Sequence, residues 1–150
     1  MTGDQFMRDF VATLPTPTFD EPAFVSPKPL AESTVAIVTS AAIHPPGRDE
    51  FSAGDTSYRL LDADQRDFVL GHWSPNFDRA GFAADINVVY PIDRLVELVD
   101  RGTIGAVAPR HVSFAGNQPD DVAVIRMDSG PAAAAELKAD GVDVVLLTPV

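Results

Sequence analysis

Two runs dominate the hydrophobic pattern of this chain. Thr34-Val-Ala-Ile-Val-Thr39 and Val142-Asp-Val-Val-Leu-Leu147 are aliphatic or β-branched at nearly every position rather than at every second one. That pattern predicts strands buried on both faces of a parallel sheet. Ligands of open α/β sheets gather just beyond the carboxyl ends of such strands, which here are Ser40–Gly47 and Thr148–Val150. A covering helix should follow the last strand. None does, so this strand either ends the domain or belongs to the front part of something longer.

Between these runs the pattern alternates strand and helix. Tyr58–Leu61 and Phe68–Trp73 read as short strands, and Asn87–Tyr90 as extended chain ahead of Pro91. Ile92, Leu95, Val96 and Val99 form one apolar stripe, which predicts a helix over 91–101. Pro91 suits its first position, Asp93 its positive end, and Gly102 a left-handed cap. Ile104–Ala108 is predicted as a strand and Pro109–Gly116 as a loop. Val122–Met127 fits either period. Pro131–Ala139 is a helix closed by Gly141, with small alanines for close packing on a sheet. The fold class expected is α/β, a mostly parallel, Rossmann-like sheet with covering helices.

Residues 1–33 break this rhythm. Five prolines between Pro15 and Pro29 block helix and remove backbone donors. The segment therefore reads as a Pro-rich extended arm preceding an α/β domain over 34–150. Phe10, Phe19, Phe24, Val25 and Leu30 are interleaved with it, so the arm is expected to pack against its own domain or a partner subunit.

Composition narrows the function. Eleven basic and 22 acidic residues give a net charge of −11, which disfavours nucleic acid and anionic membranes as partners. The absence of cysteine removes disulfides, thiolate nucleophiles and zinc–thiolate sites. No run approaches 18 apolar residues and the start does not read as a secretory signal. The expected setting is cytoplasmic.

All three histidines, His44, His72 and His111, fall in or near segments that follow predicted strands, with Asp78 and Arg110 close in sequence. Such loops converge on one sheet edge, so these five residues are the candidates for a substrate pocket. Arg110 could bind a carboxylate through two parallel hydrogen bonds, or pair with one of the chain's own acids. No two histidines have the spacing of a local metal pair, and no metal is assigned. There is no nucleophile elbow, P-loop or dinucleotide fingerprint.

Four blocks carry a resemblance. They are Leu30–His44, Asn76–Arg79 with Asp85-Ile-Asn-Val-Val-Tyr-Pro-Ile-Asp-Arg-Leu95, Ile104-Gly-Ala-Val-Ala-Pro-Arg-His-Val-Ser-Phe114, and Leu137–Val150. Over 22–150 the chain resembles the selenoprotein B family of glycine, sarcosine, betaine and D-proline reductases. The resemblance implies reductive cleavage of the carbon–nitrogen bond of a small amino acid or its N-methylated derivative. It implies a selenocysteine or cysteine as nucleophile and a pyruvoyl group on a partner subunit. The redox residue would come directly after Val150, where a selenocysteine codon, UGA, can be read as a stop. The expectation is a truncated reductase subunit, inactive alone, whose uncovered sheet favours a homo-oligomer. The alternative is a non-catalytic binding or assembly module of the same fold. A metal-dependent hydrolase is a third class, requiring bound metal.

Overall fold

The computed structural model describes residues 3–13, 20, 24–47, 50–75, 77–118 and 122–150. The element order is α1 (Gly3–Val11), β1 (Thr34–Thr39), β2 (Ile43–His44), β3 (Tyr58–Asp62), β4 (Val69–Leu70), α2 (Arg79–Ala84), α3 (Ile92–Asp100), β5 (Ala106–Val107), β6 (Arg110–Phe114), α4 (Gly130–Ala139) and β7 (Val144–Thr148). β1 lies inside the main sheet. It pairs parallel with β7 along one side and with β5 and then β6 along the other, while β3 closes the far side antiparallel to β6. β2 and β4 form a separate two-stranded ribbon. The architecture is mixed α/β with a mostly parallel sheet.

One helix covers each face. Val35, Ile37, Leu61 and Val144 meet Val89, Tyr90, Ile92 and Leu95 of the α3 side. Ala36, Val112 and Val38 meet Ala133 and Leu137 of α4. The alternation of a strand thus divides β1 between two cores.

Both glycine caps fall where the sequence places them. Gly102 has φ +68 and donates to Val99 O (2.8 Å), while Thr103 N reaches Leu98 O (2.9 Å). Gly141 has φ +74 and donates to Lys138 O, with Val142 N on Leu137 O. These are paired Schellman bonds. No atom would obstruct a Cβ at Gly102, so Gly102→Ala should cost only the left-handed conformation, about 1 kcal/mol. An unchanged urea midpoint would contradict it.

Several segments differ from the sequence expectation. Asn87–Tyr90, expected as extended chain, instead enters through a 3-10 turn over Ile86–Val88, which Asp85 caps by accepting the Asn87 N–H (2.9 Å). Pro109–Gly116, expected as a loop, contains β6, because β1 and β3 flank it and supply pairing that no local signal reveals. Ser40–Gly47 contains β2, paired with β4. The helix at Pro131 begins earlier: a widened turn over Ile125–Ser129 leads into α4, with Gly130 N bonded to Ile125 O. A proline inside a helix excludes the carbonyl four residues back, and the wider turn accommodates this. A Cβ on Gly130 would lie 2.5 Å from Ile125 O, so only glycine fits there.

β7, expected to be buried on both faces, is not. Val145, Leu146 and Leu147 are 40, 39 and 67% exposed. β7 is bonded only to β1, and no described element lies beyond it. The assigned arm lies partly outside the described residues. Among the described residues of 1–33 the structure shows α1 and a 3-10 turn, Leu30–Glu32. The end of this segment is tied to the sheet by Lys28 Nζ to Asp143 Oδ2 (2.9 Å), and the same carboxylate oxygen accepts Thr34 N–H (2.9 Å).

Candidate functional site

The carboxyl ends of β1, β6 and β7 form one edge. Ser40 Oγ accepts the Val150 N–H (2.9 Å) and donates to Val150 O (3.2 Å). Thr148 Oγ1 donates to Val89 O (3.0 Å), joining the end of β7 to the segment ahead of α3. Two clefts flank this end. One, of about 350 Å³, is lined by Phe77, Asp78, Gly81, Val88, Val89 and Val150. The other, of about 200 Å³, is lined by Val38, Thr39, Ser40, Phe114, Leu147, Thr148 and Pro149.

His72 closes over the same edge. It is 6% exposed and stacks on Phe77, ring centroids 4.5 Å apart. Its Nδ1 accepts Ser74 N–H (3.2 Å), so in the neutral ring Nε2 carries the proton. That Nε2 is buried and has no hydrogen-bond partner among the described residues. It lies so close to Gly116 that a Cβ there would be 2.6 Å away, and 2.8 Å from Ser40 O. Burial, and then the Arg79 cation, push the His72 pKa below its usual value, so the ring is neutral at pH 7. Arg79 is held by the carbonyls of His72 (2.5 Å) and Ser74 (3.1 Å).

Asp78 lines the larger cleft and also starts α2. Its Oδ1 accepts Ala80 N–H (3.0 Å) and Gly81 N–H (3.1 Å), the use for which aspartate is favoured at a helix start. His44 lies in β2 beside Gly71, edge-on to Phe51 (6.1 Å), its Nδ1 2.9 Å from Pro45 O.

Arg110 and His111 sit inside β6 rather than in a loop beyond a strand. Arg110 clasps Asp140 with two hydrogen bonds (both 2.8 Å) and reaches Glu136 (3.0 Å). These bonds hold the Asp140 carboxyl below the usual carboxylate range. Of the two roles open to Arg110, the structure shows the ion pair, and an added carboxylate would have to displace Asp140. The clasp is partly exposed, so Arg110→Ala should cost about 1 kcal/mol. A loss no larger than that of Arg94→Ala, at a more exposed pair, would contradict it.

His111 is fully buried, with Tyr90 edge-on at 5.4 Å. Its Nδ1 accepts the Ile37 N–H (2.9 Å). Ala108 N bonds Val35 O on the same side of β1, and β6 resumes pairing at Val38. The imidazole therefore fills the gap in the ladder that opens at Pro109. Burial first, then Arg66, depress its pKa to about 4.

The five sequence candidates thus separate. His72 and Asp78 lie at the carboxyl edge, His44 lies on the ribbon behind it, and Arg110 and His111 face opposite cores. Ser40, Gly116 and Thr148 join the edge group. Only the pairing of three strands sequence-distant from one another brings them together, so no local motif marks them. Among the described residues no group of three His, Asp or Glu side chains is arranged to hold a metal ion.

Comparison with known proteins gives a consistent family. The model described as glycine/sarcosine/betaine reductase selenoprotein B matches residues 5–150. D-proline reductase subunit gamma of Acetoanaerobium sticklandii is 38% identical over 124 residues, covering 81% of this chain and 50% of that protein. Glycine reductase complex component B subunit gamma of Carboxydothermus hydrogenoformans is 32% identical over 147 residues, 93% of this chain and 33% of its own length. Betaine reductase complex component B subunit beta of Peptoclostridium acidaminophilum is 30% identical, covering 99% and 34%. The chain spans a third to a half of the length of these curated relatives. No solved structure gives a significant match.

Proposed function

The chain belongs to the glycine/sarcosine/betaine reductase selenoprotein B family, and we propose that it builds the substrate pocket of a reductase subunit at the carboxyl edge of its sheet. The reaction is reductive cleavage of the carbon–nitrogen bond of a small amino acid or its N-methylated derivative. The observation that carries this is the edge itself. In a chain matched along nearly its whole length, Ser40, His72, Asp78, Gly116 and Val150 meet beside two clefts.

Each residue has a physical part. Phe77, Val88 and Val89 make a water-excluding wall. Asp78 gives that wall a carboxylate suited to an amine or ammonium group. His72, neutral with its proton on Nε2, is a hydrogen-bond donor rather than an acid. The chain holds no cysteine. A selenocysteine or cysteine following Val150 would stand at the end of β7, between the clefts. Such a residue would supply a nucleophile ionised at neutral pH. The pyruvoyl group is assigned to a partner subunit, in keeping with relatives named as components of reductase complexes.

Helices on opposite faces, α3 and α4, support a Rossmann-like winding. The cytoplasm is the proposed setting; no described helix is long and apolar enough to cross a membrane.

The test is genetic and then chemical. The codon after Val150 should be TGA, with an open frame continuing into further α/β sequence, and the 150-residue chain alone should not turn over glycine, sarcosine, betaine or D-proline. A TAA or TAG with no frame beyond it favours the assembly module. Turnover by the chain as it stands would overturn the assignment of a redox residue beyond Val150.

A further inference from the structure

The proposed pocket offers a substrate amine a partner, Asp78, but the carboxylate of a small amino acid needs one too. Arg110, the cation that the sequence offers for it, is engaged by Asp140 and Glu136. Arg59, Arg66, Arg94 and Arg101 are likewise paired with an aspartate or glutamate. Arg79 differs. Its guanidinium donates to two main-chain carbonyls, Nη1 to Ser74 O (3.1 Å) and Nη2 to His72 O (2.5 Å), and it pairs with no acid among the described residues. Carbonyls fix a guanidinium in place without neutralising it. Of the five N–H donors of an arginine, Nε–H is among those that remain. Asp78, the preceding residue, is the mirror case. Both bonds from the start of α2 go to Oδ1, which leaves Oδ2 open to a ligand. Two consecutive, exposed and oppositely charged side chains are thus each held by main-chain groups, and not by one another.

We infer that Asp78 and Arg79 together read a zwitterion, with Arg79 as the residue that binds the substrate carboxylate and Asp78 facing the amine. The inference rests on the proposed pocket and adds to it the group that selects for a free carboxylate. A guanidinium takes a carboxylate through two parallel N–H···O bonds, the arrangement that Arg110 already makes with Asp140 through Nε and Nη2. Because its carbonyl partners hold it beforehand, Arg79 gives up little side-chain freedom on binding. The same holds for Asp78, fixed by the amides of Ala80 and Gly81. Arg79 does not line the 350 Å³ cleft; it stands on the His72–Ser74 side of Asp78, which does. The substrate therefore lies with its carboxylate over segment 72–74 and its carbon skeleton toward Phe77, Val88 and Val89. In a chain of net charge −11, a cation left unneutralised there gives an anionic group a local attraction against the general repulsion. Amines and amides of the same skeleton lack the group that Arg79 reads and bind weakly.

Titration of the 150-residue chain with D-proline and with D-prolinamide, followed by nuclear magnetic resonance, tests this. Both probes carry the amine; only D-proline carries the carboxylate. D-proline should bind and move the Arg79 Nε–H resonance. Arg79→Gln should weaken D-proline by about tenfold or more, as for a lost charged hydrogen-bonded contact, and leave D-prolinamide within about twofold. Arg79→Lys, which keeps the charge but not the fork, should fall between wild type and Arg79→Gln. Asp78→Asn, which still caps α2, should weaken both probes alike. Equal losses for the two probes in Arg79→Gln would show that the residue only holds segment 72–74, and would overturn the inference. D-proline binding unchanged in that variant overturns it as well, and leaves the pocket standing. A wild-type chain that binds none of D-proline, glycine, sarcosine and betaine overturns the pocket itself.

Discussion

Lowering the pH from 7 to 4 should remove about 3 kcal/mol of stability, most of it through His111. The folded pKa is depressed to about 4, against an ordinary histidine value of 6.5. Between these values the unfolded chain binds a proton that the folded chain refuses. The group's contribution is therefore fully present above pH 6.5 and is lost as the pH falls toward 4. Each pKa unit corresponds to about 1.4 kcal/mol. The chemical reason is specific. Nδ1 is the acceptor for Ile37 N–H, and a proton there would turn an acceptor into a second donor facing a donor. His72, also depressed, acts in the same direction. The lowered aspartates Asp55, Asp85, Asp93, Asp140 and Asp143 act in the same direction, but around and below their ordinary value of 3.8, so they contribute only at the acid end of this window and account for little of the change between pH 7 and 5.5. Urea unfolding at pH 7, 5.5 and 4 reads the effect. In His111→Gln the slope should shrink to the part due to His72 and, at the acid end, the aspartates, because the amide accepts the same bond without titrating. A wild-type stability flat over this range would show that the ladder does not depend on a neutral imidazole.

Gly116→Ala should be the most damaging of the glycine substitutions at ordinary φ near the site, at about 3 kcal/mol, the upper part of the range for overpacking. The added methyl would lie 2.6 Å from His72 Nε2 and 2.8 Å from Ser40 O. The ring could move, but Ser40 O belongs to the backbone at the end of β1 and is held by the sheet. Gly3→Ala, where no atom lies within 4 Å, should leave the melting temperature unchanged. The double variant Gly116→Ala with His72→Ala should recover only part of the loss, since the clash with Ser40 O persists. Full recovery would place the constraint on the ring alone; no loss in the single variant would remove the close approach of β1, β6 and His72 on which the proposed pocket rests.

Much of the layout follows from sequence. The β-branched run of β1, the apolar stripe of α3 and the glycines at 102 and 141 are local signals, because a strand, an amphipathic helix and a left-handed cap each write their period or φ requirement into adjacent residues. The family was legible too, in blocks that keep their order along the chain. The polar candidates were legible only as residue types. Nothing near His111 reveals that it substitutes for a main-chain acceptor, because the donor is 74 residues away. Nothing near Arg110 reveals which of 22 acids it would hold.

The sequence by itself determined the alternation of strands and helices, the lack of a thiol among these 150 residues and the kinship with the reductase family. Tertiary pairing decided the rest. It made a strand of Arg110–Phe114, turned Arg110 and His111 to opposite faces, and gathered Ser40, His72, Asp78 and Gly116 at one edge. Among the described residues it also left the outer side of β7 uncovered, because burial of a strand depends on neighbours that its own residues do not specify.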